Sequence, residues 1–151
     1  MFWSQGSNVT ESRFRGEFDY SLDDRGRLVV PARFRDSFRA GGFVVLWFNP
    51  SLALFTQEGL DAQIADALST ANSTIDRLDI EEFFNSSSYE VELDRQGRIL
   101  LTNDMKAHAS IQQAVSLIGN GNHIRIWSPA VWATHRPQLR ARVPELLGRS
   151  R

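Results

Sequence analysis

Apolar and polar residues alternate over residues 16–22, placing Phe18, Tyr20 and Leu22 on one face, the period-two pattern of a half-buried strand. Residues 27–30 supply a short apolar return strand, and Asp23-Asp24-Arg25-Gly26 has the length of a hairpin loop, with Gly26 offering the positive φ of such turns. Pro31 fits the first turn of a short helix, PARFRDSF, with Phe34 and Phe38 four apart. Strands are predicted at FVVLWF and around Leu52 to Phe55, and Thr56 is placed to cap a following helix. Leu60, Ile64 and Leu68 are spaced by four, and Ile75, Leu78 and Phe83 continue an apolar stripe after a polar break; these helices are expected to cover the sheet. The second half repeats the pattern: Glu90 to Leu93, a loop, Arg98 to Leu101, a short helix near Asn103 to Ala109, and strands Ala114 to Ile118 and His123 to Trp127 around a GNGN turn. Ser128-Pro129 opens a last helix that buries Trp132 with Trp127, and Pro137 and Pro144 predict that it frays beyond its first turns.

The echo is residue for residue. FDYSLDDRGRLVV at 18–30 and YEVELDRQGRILL at 89–101 share Leu22/Leu93, Asp23/Asp94, Gly26/Gly97 and Arg27/Arg98, with Phe18/Tyr89 and Leu28/Ile99 conservative. A second L-D-x-x-G-R arises by chance in about a few chains per thousand of this length. The chain carries one unit twice.

Composition narrows the class. Hydrophobic residues at 42% and charged residues at 23% belong to a soluble globular chain, and 151 residues suit one domain or two small units sharing a core. With no cysteine, disulfides, thiolate metal sites and cysteine nucleophiles are excluded. The longest apolar run, Phe43 to Phe48, is too short to span a membrane, and the first residues lack the pattern of a signal peptide. The net charge of −1 hides a segregation. Seven arginines face five acids from Arg13 to Arg39; ten acids face only Arg77 from Gln57 to Asp94; six arginines face Glu145 from Arg125 to Arg151. Basic character is almost wholly arginine, the residue suited to bidentate contact with guanine or phosphate.

Enzyme chemistry finds little footing. His108, His123 and His135 are scattered, no metal-ligand spacing, nucleophile elbow or phosphate loop is present, and no cofactor is expected. Asp23 and Asp94 as an acid/base pair are disfavoured, because equivalent positions of two repeats would sit on separate loops. The Asp-x-x-Gly-Arg loop needs Asp and Gly to turn. It does not need Arg at the next position twice. An arginine held on a rigid hairpin reads groove edges and phosphates, and a two-stranded ribbon fits the major groove.

FRGEFDYSLDDRGRLVVPARFR, YEVELDRQGRILL and GNGNHIRIWSPAVW, spread in order from Phe14 to about Trp132, resemble the MraZ family of bacterial transcriptional regulators. The resemblance implies an α+β, mainly β fold: two pseudo-symmetric AbrB/SpoVT-like swapped-hairpin and helix units forming one small β-barrel with flanking helices. It implies units at 14–60 and 87–132, a helical segment at 61–86, a flexible extension at 1–13 and a basic tail at 133–151. It further implies a homo-oligomeric ring, cytoplasmic and nucleoid-associated, that binds direct repeats in double-stranded DNA upstream of the division and cell wall gene cluster, with no membrane or small-molecule substrate. Arg25, Arg27, Arg98, Arg95 and Arg15 are the candidate DNA contacts, and Asp23, Gly26, Asp94 and Gly97 the residues that shape the loops. Members often carry Pro where this chain has Thr102-Asn103, so the second short helix is expected to start less firmly. Gln96 stands where the first loop has Arg25, which puts the second loop's share in DNA contact in question. An AbrB-type antitoxin and a scaffold oligomer that binds no DNA remain the alternative readings.

Overall fold

The computed structural model describes residues 13–149. Its strands are β1 (Glu17–Ser21), β2 (Arg27–Val29), β3 (Gly42–Leu46), β4 (Leu52–Phe55), β5 (Ser88–Val91), β6 (Arg98–Leu100), β7 (Ala114–Gly119) and β8 (His123–Trp127). Its α-helices are α1 (Gln57–Ser69), α2 (Thr74–Ser87), α3 (Asn103–Ala109) and α4 (Pro129–Arg149), with a 3-10 helix at Ala32–Phe38. Six strands form an antiparallel sheet in the order β1-β7-β8-β4-β3-β5, and β2 and β6 form a separate two-stranded ribbon.

That order reads the same from either end once each half is exchanged for the other. β1 of the first half pairs with β7 of the second, and β5 of the second pairs with β3 of the first. The local hairpin expected from the alternation is therefore not what forms. β1 and β2 flank a tight turn but share no ladder; each finds its partner in the other half, as swapped hairpins do. Alternation specifies which face a strand buries, not which strand lies beside it. Among the described residues no ladder joins β1 to β5, so the expected closed barrel is not found; the architecture is mixed, mainly antiparallel β with helices.

The core has two parts. One holds Leu28, Ile99, Phe34, Phe38 and Met105 beneath the β2–β6 ribbon; the other packs Val45, Trp47, Ala53, Phe55, Leu60 and Phe84 between the sheet and α1–α2. β4 and β8 are buried at every position because both of their faces are covered.

Several details depart from expectation. The segment after Pro31 is a 3-10 helix with no side-chain cap, closed by Phe34 N–H donating to Pro31 O at 2.8 Å, while α3 is a true α-helix. The second helix is thus the more firmly started: Thr102 Oγ1 accepts from Met105 N–H at 3.3 Å, which a proline there could not do. In α2 the buried face is Ile80, Phe83 and Phe84, and Ile75 and Leu78 stand 70% and 62% exposed instead of covering the sheet. α4 runs unbroken through Pro137 and Pro144. Its outer part is exposed, so water can take the carbonyls that each proline leaves without a donor. Thr56, Ser128, Trp127 and Trp132 take the places expected of them. The extension expected over 1–13 lies, Arg13 apart, outside the described residues.

Candidate nucleic-acid interface

Each Asp-x-x-Gly-Arg segment forms the same turn. Asp23 Oδ1 accepts the backbone N–H groups of Arg25 and Arg27, both at 2.9 Å, and Asp94 Oδ1 accepts those of Gln96 and Arg98 at the same distance. Asp23 N–H donates to Arg27 O and Gly26 N–H to Asp23 O; Asp94, Arg98 and Gly97 repeat both bonds. Gly26 at φ 80 and Gly97 at φ 76 take the left-handed conformation that lets the chain close. The second carboxylate oxygen then holds the arginine: Arg27 Nε donates to Asp23 Oδ2 at 2.7 Å and Arg98 Nε to Asp94 Oδ2 at 2.8 Å.

The swap brings these loops together. Arg27, Leu28 and Val29 pair with Leu100, Ile99 and Arg98, and the ladder is extended by Val30 N–H to Gly97 O and Leu101 N–H to Gly26 O, both 2.9 Å. Arg98 Nη1 reaches Asp23 Oδ2 at 3.3 Å. The two carboxylates assigned to separate loops are thus parts of one ionic cluster.

Both carboxyls are held below the usual aspartate range. At Asp23 the backbone bond from Arg27 is the main cause, outweighing partial desolvation. At Asp94 desolvation raises the pKa, but the backbone and side-chain bonds from Arg98 together overcome it. An ionised carboxylate only accepts, so both act as restraints on the loops.

The arginines end differently. Arg98 spends Nε on Asp94, Nη1 on Asp23 and Nη2 on Gln96 Oε1 at 3.1 Å. Arg27 is tied through Nε alone, and its two Nη groups meet no acceptor among the described residues. Arg25 and Arg95 are exposed at the two loop tips. Arg15 is not brought to this cluster. It sits beside Gly119 at the opposite end of β1, with the five-residue strand Glu17–Ser21 between it and the loops.

Two cations that motif reading passed over stand against the loops. Arg35, tied by Nε to Val30 O at 2.9 Å, lies across Gly97, where a Cβ would run into its guanidinium. Lys106 approaches Gly26, its Nζ 3.5 Å from the place a Cβ would take. Each comes from the short helix of one half and covers the glycine of the other half's loop. The signal was present: Arg35 and Lys106 stand 71 positions apart, the same spacing as the loops.

A second polar cluster is buried away from the loops. His123 is held between Asn122 Oδ1 at 2.7 Å and Arg125 Nη2 at 3.0 Å, and Arg125 lies over the ring of Trp47. Burial, with Arg125 adding to it, pushes His123 down to about 3, and burial lowers Arg125 to about 10. The neutral imidazole donates from Nδ1 to Asn122 and accepts at Nε2, which Arg125 Nη2 and Asn120 Nδ2, at 3.2 Å, both face. Among the described residues no group of three or more His, Asp or Glu side chains is placed to hold a metal ion. No described helix is long and apolar enough to cross a membrane.

A protein-family model described as "MraZ protein, putative antitoxin-like" matches residues 13–79 and 84–143. A relative from Thermomicrobium roseum named transcriptional regulator MraZ is 32% identical over 136 residues, covering 90% of this chain and 96% of its own. Namesakes from Moorella thermoacetica, at 32% identity over 79% of this chain and 83% of theirs, and Desulforapulum autotrophicum, at 34% over 79% and 82%, align comparably. The family match spans both halves and the relatives align over at least 82% of their own lengths: the chain belongs to the MraZ family.

Proposed function

We propose that this chain is a sequence-specific regulator of transcription that reads double-stranded DNA with its first loop. The observation that carries the reading is Arg27: a guanidinium aimed by Asp23 through Nε, its terminal N–H groups meeting no acceptor among the described residues and so able to take an outside one. Two parallel N–H donors on one rigid plane match the O6 and N7 atoms of guanine or a phosphate. Arg25 and Arg95 at the loop tips, and Arg35 and Lys106 beside the glycines, supply positive charge for the backbone. Arg15, at the other end of β1, has no part in this surface.

The β2–β6 ribbon presents both loops, and its paired strands suit entry into the major groove. One such surface makes only a few specific contacts, too few to single out one promoter among a genome's competing sites. Binding therefore uses several copies of the chain, ring-like, on adjacent direct repeats upstream of the division and cell wall genes, each later contact made intramolecular by the first. The protein works in the cytoplasm at the nucleoid.

The test is a mobility-shift titration with the chain's own upstream region, intact and Arg27→Ala. Loss of the specific complex with an unchanged circular dichroism spectrum is the expected result. Equal affinity would overturn the reading. A small toxin gene beside this one, with its product bound by the chain, would favour the antitoxin alternative.

A further inference from the structure

The β2–β6 ribbon turns one face inward and one outward. Leu28 and Ile99 point inward and are buried, so Arg27, Val29, Arg98 and Leu100 share the outer face. Of these four Leu100 is the most open to solvent, at 52%. A lone exposed leucine is ordinary. The place of this one is not, because its partner across the ladder is Arg27. Residues directly opposite each other in an antiparallel pair stand about 4.5–5.5 Å apart at Cβ. Leu100 Cδ1 also reaches the first loop, lying 4.0 Å from where a Cβ on Gly26 would be, and Lys106 Nζ lies 3.5 Å from the same point. An apolar side chain is thus set between a cation and the arginine whose Nη groups meet no acceptor among the described residues.

The other end of the ribbon lacks this combination. There the equivalent pair is Val29 opposite Arg98; Val29 is half-buried, and Arg98 has an acceptor at each of its three nitrogens. Leu100 has no donor to offer a phosphate. The groove of about 280 Å³ beside it is lined by Val91 and Met105 and by Glu90 and Glu92, whose charge repels one. Packing beneath the ribbon is met by Ile99 and Leu101, both 1% exposed. A base edge suits Leu100 better, and the apolar group that the major-groove edge presents is the C5 methyl of thymine.

We propose that Leu100 is a specificity-determining residue that packs on the C5 methyl of a thymine close to the guanine read by Arg27. Successive bases on a strand lie about 3.4 Å apart along the axis, so the spacing of Arg27 and Leu100 spans one to two base steps. The ribbon therefore carries two readers of different kinds. Arg27 selects guanine by paired hydrogen bonds, and Leu100 selects thymine over cytosine, which lacks the methyl and presents a polar N4 donor instead. The inference rests on the reading of Arg27 in the proposed function and adds a second base to it.

The experiment titrates the full chain against its own upstream region made with thymine and with uracil throughout, which removes the methyls and keeps every base pair. The intact protein should bind the uracil fragment about fourfold more weakly for each methyl contacted, the transfer value of one buried methyl group. Leu100→Ala, with an unchanged circular dichroism spectrum, should show the same loss on the thymine fragment and bind both fragments equally. A merely structural leucine would not change that ratio. Single uracil replacements should then place the effect within two base pairs of a guanine whose 7-deaza analogue also weakens binding. Equal binding of both fragments by the intact protein, or a Leu100→Ala variant that still prefers thymine by the same factor, would overturn the proposal. Arg27→Ala on the thymine fragment scores the other reading separately. Loss of the complex there, with the intact protein indifferent to the methyl, removes Leu100 alone; full affinity there removes both.

Discussion

The two Asp-x-x-Gly-Arg loops share every backbone bond of the turn and the carboxylate-to-Nε restraint, yet their arginines are left in different states. Arg98 has an acceptor at each of its three nitrogens, in Asp94, Asp23 and Gln96; among the described residues Arg27 has a side-chain acceptor at Nε alone. One cause is a single position. Gln96 offers an acceptor beside Arg98, where Arg25 in the first loop offers only donors. The other is direction: Arg98 crosses to Asp23, and among the described residues Arg27 makes no return bond to Asp94. In the proposed reading the first loop meets DNA and the second holds the first in place. A repeated motif need not have a repeated duty.

The largest test of that contrast pairs Arg27→Ala with Arg98→Ala. Removing Arg27 should cost about 1–3 kcal/mol of specific binding per site, multiplied along an operator of several repeats, with little change in stability. Removing Arg98 takes one side-chain donor from each of Asp94 and Asp23, which keep their backbone N–H bonds, and should lower unfolding stability in a urea titration with the smaller effect on DNA. The reverse order of effects would exchange the roles of the loops.

The glycines sharpen the difference at the next scale. Gly26→Ala and Gly97→Ala both force a side chain into the left-handed region, at about 1–2 kcal/mol each. Gly97→Ala must also displace Arg35 from Val30 O, so it should weaken DNA binding beyond its effect on melting temperature. Equal binding by the two mutants at matched stability would remove Arg35 from the surface.

Asp23→Ala should have a smaller effect and an instructive sign. A carboxylate repels phosphate, so its loss would tighten binding if long-range charge decided the matter. Because Asp23 orients Arg27, weaker binding by several-fold is expected, and less change for Asp94→Ala, where Asp23 still holds Arg98. Tighter binding with retained specificity would make Asp23 an electrostatic brake.

Acid should open both loops with the least effect on the whole molecule. Each folded-state pKa lies below the ordinary 3.8, so the unfolded chain binds the proton first. The stabilisation is complete above that value and lost as pH falls through the lower folded value. Corrected for the intrinsic pH dependence of exchange, the protection of the Arg27 and Arg98 amides should fall together below about pH 4; protection already absent at neutral pH would refute the restraint.

Much of this was legible in the residues. The alternation of Phe18, Tyr20 and Leu22, the caps at Thr56 and Ser128, and the repeated Asp, Gly and Arg fixed the element types and the loops, because each depends on a few neighbouring positions. The exchange of partners was not legible from period two, since β1 buries the same face whichever strand lies beside it. Arg35 and Lys106 escaped because the turn does not require them; their relation to Gly97 and Gly26 exists only once the halves interlock. Ile75 and Leu78 fitted an apolar stripe by spacing, but α2 turns Ile80, Phe83 and Phe84 inward instead.

The exchange of strands also has a consequence for how the chain is made. Asp19 and Ser116, joined across β1 and β7, are 97 residues apart. At ribosomal rates of about 5–20 residues per second, β1 waits roughly 5–20 s for its partner to be synthesised. During that interval its edge is open, and pairing between strands so distant in sequence is slow even afterwards. Neither half can be released early as a finished piece. A truncated product ending before β7 should therefore be cleared by proteases or aggregate, leaving the cell with whole regulators or none.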